Sequence, residues 1–430
     1  MKTIKYFAII ALLLFAHSRV NADYFAYVPD ISANQSQKLV HIYNTTLKRK
    51  VKSLVILGDP QDVLVSHSGK FVFVSAIIND GVLIQPVINV VNAFTNSLNL
   101  SNVVRIDGTF VRGMALSKDE NKLFVIHDDT ISIINGPGFA NSVTKTDLSL
   151  TYNGMKAIIT DDDKYLFIVG KDTAENDGIS VVEVSSMTEI RHYPIGTGKG
   201  ASEIVFDNIN KRLFVALSQS NEVVAVRIEN YNNAQALSLD TYQTRNLPFN
   251  SSPADIHLYK NNTELLVSLS YIKNQLGTGD GNILILKTDD ISANNISNDF
   301  TIFLSKENSA YTLEGGAIHP RAVNVDDQGI IHVLKQIWSD TNGLYLVKLK
   351  DSTNTTTGER TISEFESFNL GGQVSTLANG RFIGPDCKEC PKGEGQPEVK
   401  IGERPASLSF LIILVLFSTL VLTRQLRSRI

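Results

Sequence analysis

One phrase recurs along the whole chain: an apolar run of about four residues, a polar turn, then an apolar triplet with an aromatic or aliphatic centre. It reads VLVSHSGKFVFV at 63–74, MALSKDENKLFV at 114–125, AIITDDDKYLFI at 157–168, IVFDNINKRLFV at 204–215, IHLYKNNTELLV at 256–267 and VNVDDQGIIHV at 323–333. A worn last copy is VSTLANGRFI at 374–383. Each copy is a unit that cannot bury both its apolar faces alone, so successive copies must stack. Between them β-branched and aromatic residues alternate with polar ones in short runs broken by Gly, Asn and Asp. Almost nothing has helical period, so the chain reads as all-β.

The copies lie about 45 to 65 residues apart, the spacing of four-stranded propeller blades rather than of ankyrin or leucine-rich repeats. A further strand follows each phrase, as in ISVVEV (179–184), EVVAVRI (222–228), NILILK (282–287) and LYLVKL (344–349), and usually a fourth after that. The N-terminal piece, YFAYVPD (24–30), QKLVHIYN (37–44) and KSLVILG (52–58), supplies second, third and fourth strands without a first. The worn C-terminal copy supplies the missing first strand. The expectation is a seven-bladed β-propeller over 23–384, closed by pairing the N- and C-terminal strands in one blade, which leaves no sheet edge open at the ring's gap.

An apolar strand, a polar turn, Lys or Arg and apolar-Phe-Val, introduced by a Gly- and Pro-containing loop as in GDPQDVLVSHSGKFVFV (58–74), resembles the YVTN-repeat and lactonase-like seven-bladed propellers of surface-layer and other exported proteins. The resemblance covers about 23–384; long insertions between 254 and 320 and the worn final repeat depart from it. It implies the fold. For function it implies adhesion, ligand binding or, in some relatives, lactone hydrolysis, because one propeller hosts many sites.

The two ends carry separate signals. Residues 1–22 combine Lys2 and Lys5, an apolar run from Phe7 to Ala16 and the small exit pair Asn21-Ala22, the layout of a secretory signal peptide. Residues 406–423 (ASLSFLIILVLFSTLVLT) hold no charge and are just long enough for a transmembrane helix. Arg424, Arg427 and Arg429 in the 424–430 tail favour the cytoplasmic side, which puts the propeller outside the cell or in a lumen of the secretory pathway on a single-pass anchor. A lipid-anchor signal or a bacterial sorting tail are the alternatives, both of which remove the helix. Residues 385–405 read as an extended stalk, in which Cys387 and Cys390 form either a small local disulfide or a bridge between chains. The 40 Lys+Arg against 44 Asp+Glu give a net charge of −4, so no bulk positive field marks a nucleic-acid partner.

Aligning the copies places Asp62, Gly113, Lys156, Glu203, Asp255, Arg321 and Gln373 just before the innermost strands. That is a mixed-charge ring at the channel mouth, able to hold a polar ligand or a cation, or simply a wet rim that tolerates charge. Loops between second and third strands carry Asp80-Gly81, Asp128-Asp129, Asn176-Asp177-Gly178, Asp280-Gly281-Asn282 and Asp340. Asp177, Asp280 and Asp340 are hard oxygen donors suited to Ca2+, the one cofactor the pattern admits, although tight turns select the same residues. Trp338 and Tyr271 fall in or beside these loops as aromatic anchors for a partner or as covers for a blade edge. Asn34, Asn44, Asn99, Asn250, Asn261, Asn295 and Asn354 are glycosylation acceptors if the host glycosylates.

No HExxH pair and no GxSxG elbow is present, and GTGKG (196–200) precedes a strand rather than a helix, so it reads as a connection between blades. The first expectation is therefore a membrane-tethered module that binds a protein or glycan on the loop-rich face. The second is a metal-assisted lactonase-like hydrolase with acidic ligands at the channel mouth.

Overall fold

The computed structural model describes residues 24–30, 38–79, 81, 83–93, 97–135, 144–247, 251–269, 282–289, 291, 300–303, 317–326, 328–338, 343–353, 360–369 and 383–385. In chain order these begin with β1 (Tyr24–Asp30), β2 (Lys38–Asn44) and β3 (Arg49–Ile56). Blade 1 is β4 (Asp59–Val65), β5 (Phe71–Asn79), β6 (Ile84–Asn92) and β7 (Ser97–Arg105); blade 2 is β8 (Val111–Leu116), β9 (Lys122–His127), β10 (Thr130–Asn135) and β11 (Thr144–Ser149). Blade 3 is β12 (Asn153–Ile159), β13 (Tyr165–Lys171), β14 (Asn176–Glu183) and β15 (Thr188–Thr197); blade 4 is β16 (Ala201–Asp207), β17 (Arg212–Leu217), β18 (Glu222–Glu229) and β19 (Ser238–Asn246). Blade 5 is β20 (Pro253–Tyr259), β21 (Glu264–Leu269), β22 (Asn282–Lys287) and β23 (Phe300–Phe303); blade 6 is β24 (Ala317–Val325), β25 (Ile331–Trp338), β26 (Gly343–Thr353) and β27 (Arg360–Asn369). The last strand is β28 (Ile383–Pro385).

Each sheet is a four-stranded antiparallel meander, and the seventh has the order β28-β1-β2-β3. Ile383 pairs with Ala26 and Pro385 with Tyr24, so the C-terminal strand supplies the first strand of the N-terminal blade, as the sequence requires. The chain is thus a seven-bladed, all-β propeller. Among the described residues no helix is long and apolar enough to cross a membrane. The signal peptide, the stalk with Cys387 and Cys390, the 406–423 span and the basic tail all lie outside the described residues.

The recurring triplet owes its aromatic centre to the packing between blades. Phe73, Phe124, Phe167 and Phe214 hold the same place on the second strands of blades 1 to 4 and are fully buried. Apolar clusters fill the interfaces between successive blades, from the closing blade and blade 1 round to blades 5 and 6. Truncating such a phenylalanine typically costs about 3–5 kcal/mol. Blade 6 differs: the triplet centre is His332, fully buried, with Nε2 2.9 Å from Asp326 Oδ2. A polar centre is tolerated there because its partner is built into the preceding turn.

A meander fixes which loops share a face. Loops leading into first strands and loops between second and third strands open on one side, here called the front face; the other two sets open on the back. Neighbouring back-face turns are tied together, for example Ser68 N to Glu120 Oε1 at 2.6 Å, Lys118 N to Asp163 Oδ1 at 2.9 Å and Asn262 Nδ2 to Asp207 Oδ1 at 3.0 Å.

Candidate functional site

The innermost strands of blades 1 to 6 each carry a one-residue bulge, at Gln61, Arg112, Met155, Ser202, Ala254 and Arg321. A bulge leaves its extra residue unpaired and re-aims the next one. The residues that follow are Asp62, Gly113, Lys156, Glu203, Asp255 and Ala322, opposite Ser75, Ile126, Val169, Ala216, Ser268 and Leu334 respectively. Blade 6 therefore contributes Ala322 to the ring, not Arg321, which occupies the bulge itself. Sequence spacing alone missed this by one residue. A usable signal was present in Pro60, Pro253 and Pro320, each two positions before its ring residue. Gln373 lies outside the described residues.

Asp62, Lys156, Glu203 and Asp255 form one buried cluster rather than an open rim, with exposures of only 4%, 8%, 7% and 3%. The Lys156 ammonium donates to Asp62 Oδ2 at 2.9 Å. This bond joins blade 3 to blade 1 past blade 2, whose own ring residue is Gly113. A Cβ built on Gly113 would lie 3.0 Å from Met155 O, 3.1 Å from Lys156 Cα and 3.3 Å from Lys156 Cδ, so a side chain there would press on the lysine. Around the cluster, backbone amides orient the carboxyls: Val63 N donates to Asp62 Oδ1 at 2.8 Å, Ile204 N to Glu203 Oε1 at 3.1 Å and Val323 N to Asp255 Oδ2 at 2.8 Å. The last of these crosses from blade 6 to blade 5. Among the described residues Glu203 Oε2 is buried with no hydrogen-bond partner.

Burial works against charge on Lys156, yet Asp62, Glu203 and Asp255 outweigh it and hold the ammonium above the ordinary lysine range. Burial pushes the Glu203 carboxyl up to about 7, against the opposing pull of Lys156. Burial first, then the charge of Glu203, pushes Asp255 well above the usual carboxylate range. Three carboxyls and one ammonium cannot all be ionised at low cost in such a place, so protons supply the missing balance.

The proposed calcium loops resolve differently. Asp177 is 3% exposed and accepts three backbone N–H groups, from Lys199 at 2.7 Å, Gly200 at 3.1 Å and Ala201 at 2.9 Å. The GTGKG connection is therefore an amide nest already filled by this chain's own carboxylate, which corrects the reading of Asp177 as a metal ligand. Asp128 sits at φ +47° in the two-residue turn between β9 and β10 and accepts from Thr109 N at 2.9 Å and Thr109 Oγ1 at 2.6 Å. Asp80, Asp280, Asp340 and Tyr271 lie outside the described residues. Among the described residues no three His, Cys, Asp or Glu side chains are placed to hold one metal ion.

Trp338 ends β25 opposite Ala317, which puts its backbone at the front end of blade 6. Of the glycosylation acceptors, Asn261 is exposed on the hairpin between β20 and β21, and Asn99 lies on β7. Asn44 is fully buried and its Oδ1 accepts from Thr46 N at 2.9 Å and Leu47 N at 2.7 Å. That turn leaves no room for a glycan, so Asn44 is not an acceptor in this fold. Asn34, Asn250, Asn295 and Asn354 lie outside the described residues.

The front face also shows what the repeat does not reveal. Leu83, Ile84 and Phe110 are 55%, 47% and 41% exposed. Leu83 and Ile84 lie at the start of β6 and Phe110 just before β8, and Gln85 Nε2 donates to Ile106 O at 2.7 Å. The Arg112 guanidinium lies 5.4 Å from the Phe110 ring centre.

No family model matches the chain, and no curated protein matches its sequence. Solved structures do share its fold. A candidate 6-phosphogluconolactonase from Bacteroides fragilis superposes with a TM-score of 0.57 at 14% identity, over 84% of this chain and 98% of its own. One from Bacteroides uniformis gives 0.56 at 17%, over 83% and 98%. The periplasmic gluconolactonase of Pseudomonas aeruginosa gives 0.55 at 14%, over 82% and 98%. At these identities the likeness shows the propeller fold, which is the fold the repeat suggests.

Proposed function

We propose that this chain is an interaction propeller that docks a protein or glycan on its front face, displayed outside the cell or in a lumen and tethered through 406–423. The observation that carries the reading is the exposure of Leu83, Ile84 and Phe110 at the front-face ends of blades 1 and 2, where Gln85 Nε2 donates to Ile106 O. Exposed apolar side chains, one of them under a guanidinium, are the makings of an interface anchor. The other exposed large apolar residues described lie elsewhere: Val55 on the outermost strand of the closing blade and Ile209 in a back-face turn. In the channel the charges are spent on one another, with Lys156 as their shared cation.

Lactone hydrolysis is the second reading, favoured by the fold shared with lactonase-like proteins and by a Glu203 carboxyl near 7, a value suited to acid–base work. Its metal-assisted form needs convergent oxygen donors, which the described ring does not offer. Affinity capture with the purified 23–405 fragment, run beside a gluconolactone and 6-phosphogluconolactone hydrolysis assay, separates the two. Capture lost on Phe110→Ala without lactone turnover supports docking. Turnover abolished by Glu203→Gln, with capture unaffected by Phe110→Ala, supports hydrolysis.

A further inference from the structure

Four innermost strands each place one ionisable side chain in the same buried cluster: Asp62 on β4, Lys156 on β12, Glu203 on β16 and Asp255 on β20. The groups packed on Glu203 are Lys156 from one neighbouring blade, Asp255 from the other and Asp62 beyond Lys156. Across its own sheet β17 presents Ala216, which is apolar; beyond Asp255, blade 6 presents Ala322 and the Val323 amide. Among the described residues the cation acting on the two carboxyls is Lys156, and it is already bonded to Asp62.

We propose that this cluster is a proton-linked clamp on the ring: one of the two carboxyls, Glu203 or Asp255, keeps its proton in the closed propeller and releases it when the blades separate. With that proton in place, Asp62 and Lys156 form a balanced pair, and Glu203 and Asp255 together carry a single negative charge. Without it, two negative charges face each other across the junction of blades 4 and 5, in a place where neither is solvated. Ring closure is consequently favoured in mildly acidic surroundings and loosened as the medium turns alkaline.

The direction follows from proton counting. A carboxyl that binds its proton more tightly folded than unfolded adds stability fully present below its unfolded value, near 4.5 for Glu203, and lost as pH rises through its folded value, about 7. Burial acts oppositely on His127 and His192, holding both below the usual histidine range, so their share of stability grows with pH. The readout is therefore the difference between variants and not the raw slope.

The test is equilibrium unfolding of the full-length protein in detergent between pH 5 and 8, for the natural chain, Glu203→Gln and Asp255→Asn. The unfolding constant of the natural chain should rise with pH relative to Glu203→Gln, by up to about tenfold per pH unit across pH 5 to 7, the limit for one proton. Parallel curves for the natural chain and both variants would overturn the clamp. If the variants do not fold, carbon-detected NMR of the carboxyls in the natural protein decides. A carboxyl titrating at or above about pH 6 is expected; carboxyls that all ionise below pH 5.5 would overturn it.

Discussion

Lys156 on blade 3 bonds Asp62 on blade 1 at 2.9 Å, spanning the blade between them because Gly113 has no side chain in the way. One ion pair thus couples two non-adjacent blades at the axis. Replacing one partner of a buried pair leaves an uncompensated charge, so Lys156→Met should lower stability by about 3 kcal/mol or more at pH 8. The loss should shrink toward pH 5, as the Glu203 and Asp255 pair takes up its proton. Urea unfolding at the two pH values checks both statements.

Gly113 yields a second prediction. A methyl group there meets the Met155 carbonyl and the Lys156 stem at 3.0 to 3.3 Å, closer than they sit comfortably. Gly113→Ala should cost about 1–2 kcal/mol, within the usual range for overpacking, and Gly113→Leu more. Combining Gly113→Leu with Lys156→Met should cost less than the sum, because the displaced lysine is lost only once. A thermal-shift double-mutant cycle reads the difference.

Blades 5 and 6 are joined by Arg360, which donates to Glu264 through two bonds of 2.8 Å and to Asp351 at 2.6 Å, with Lys260 2.6 Å from Asp351. Burial alone would raise Asp351, but Arg360 and Lys260 hold it below the usual range. A lowered carboxyl contributes stability that is present above its unfolded value and lost as pH falls through its folded one. Arg360→Ala, whose side chain is 22% exposed, should cost about 2 kcal/mol at pH 7. The gap to the natural chain should narrow below about pH 4, as followed by fluorescence during acid titration.

Ring closure is testable by truncation. Ending the chain after residue 382 removes β28 and bares one edge of β1, whereas ending it after 388 keeps the pairing of Ile383 with Ala26. The shorter chain should unfold at lower temperature, less cooperatively, and associate through the bared edge. The longer one should melt as a single monomeric transition in calorimetry and sedimentation.

Much of this was legible in the sequence because a propeller repeats its physics. The apolar-Phe-Val triplet marks a strand buried on both sides, and a first strand missing at one end and present at the other names the closure. What the repeat conceals is the one-residue bulge, which moves the ring position in blade 6 from Arg321 to Ala322. Turn composition could not separate Asp177 the calcium ligand from Asp177 the acceptor of three amides, because the deciding donors come from a loop more than 20 residues on. Nor could Asn44 be seen as buried from its acceptor motif alone. Phe110 and Leu83 carry no periodic signal, since they stand out only once the loops on the front face are known to adjoin.

The most direct test of front-face docking is amide hydrogen exchange of the propeller with and without its captured ligand. Protection should appear at 81–84 and 106–112 and be lost with Phe110→Ala, while the back-face turns at 118–121 and 207–211 exchange unchanged. Protection confined to those back-face turns, or to the ring strands around Glu203 and Asp255, would contradict it.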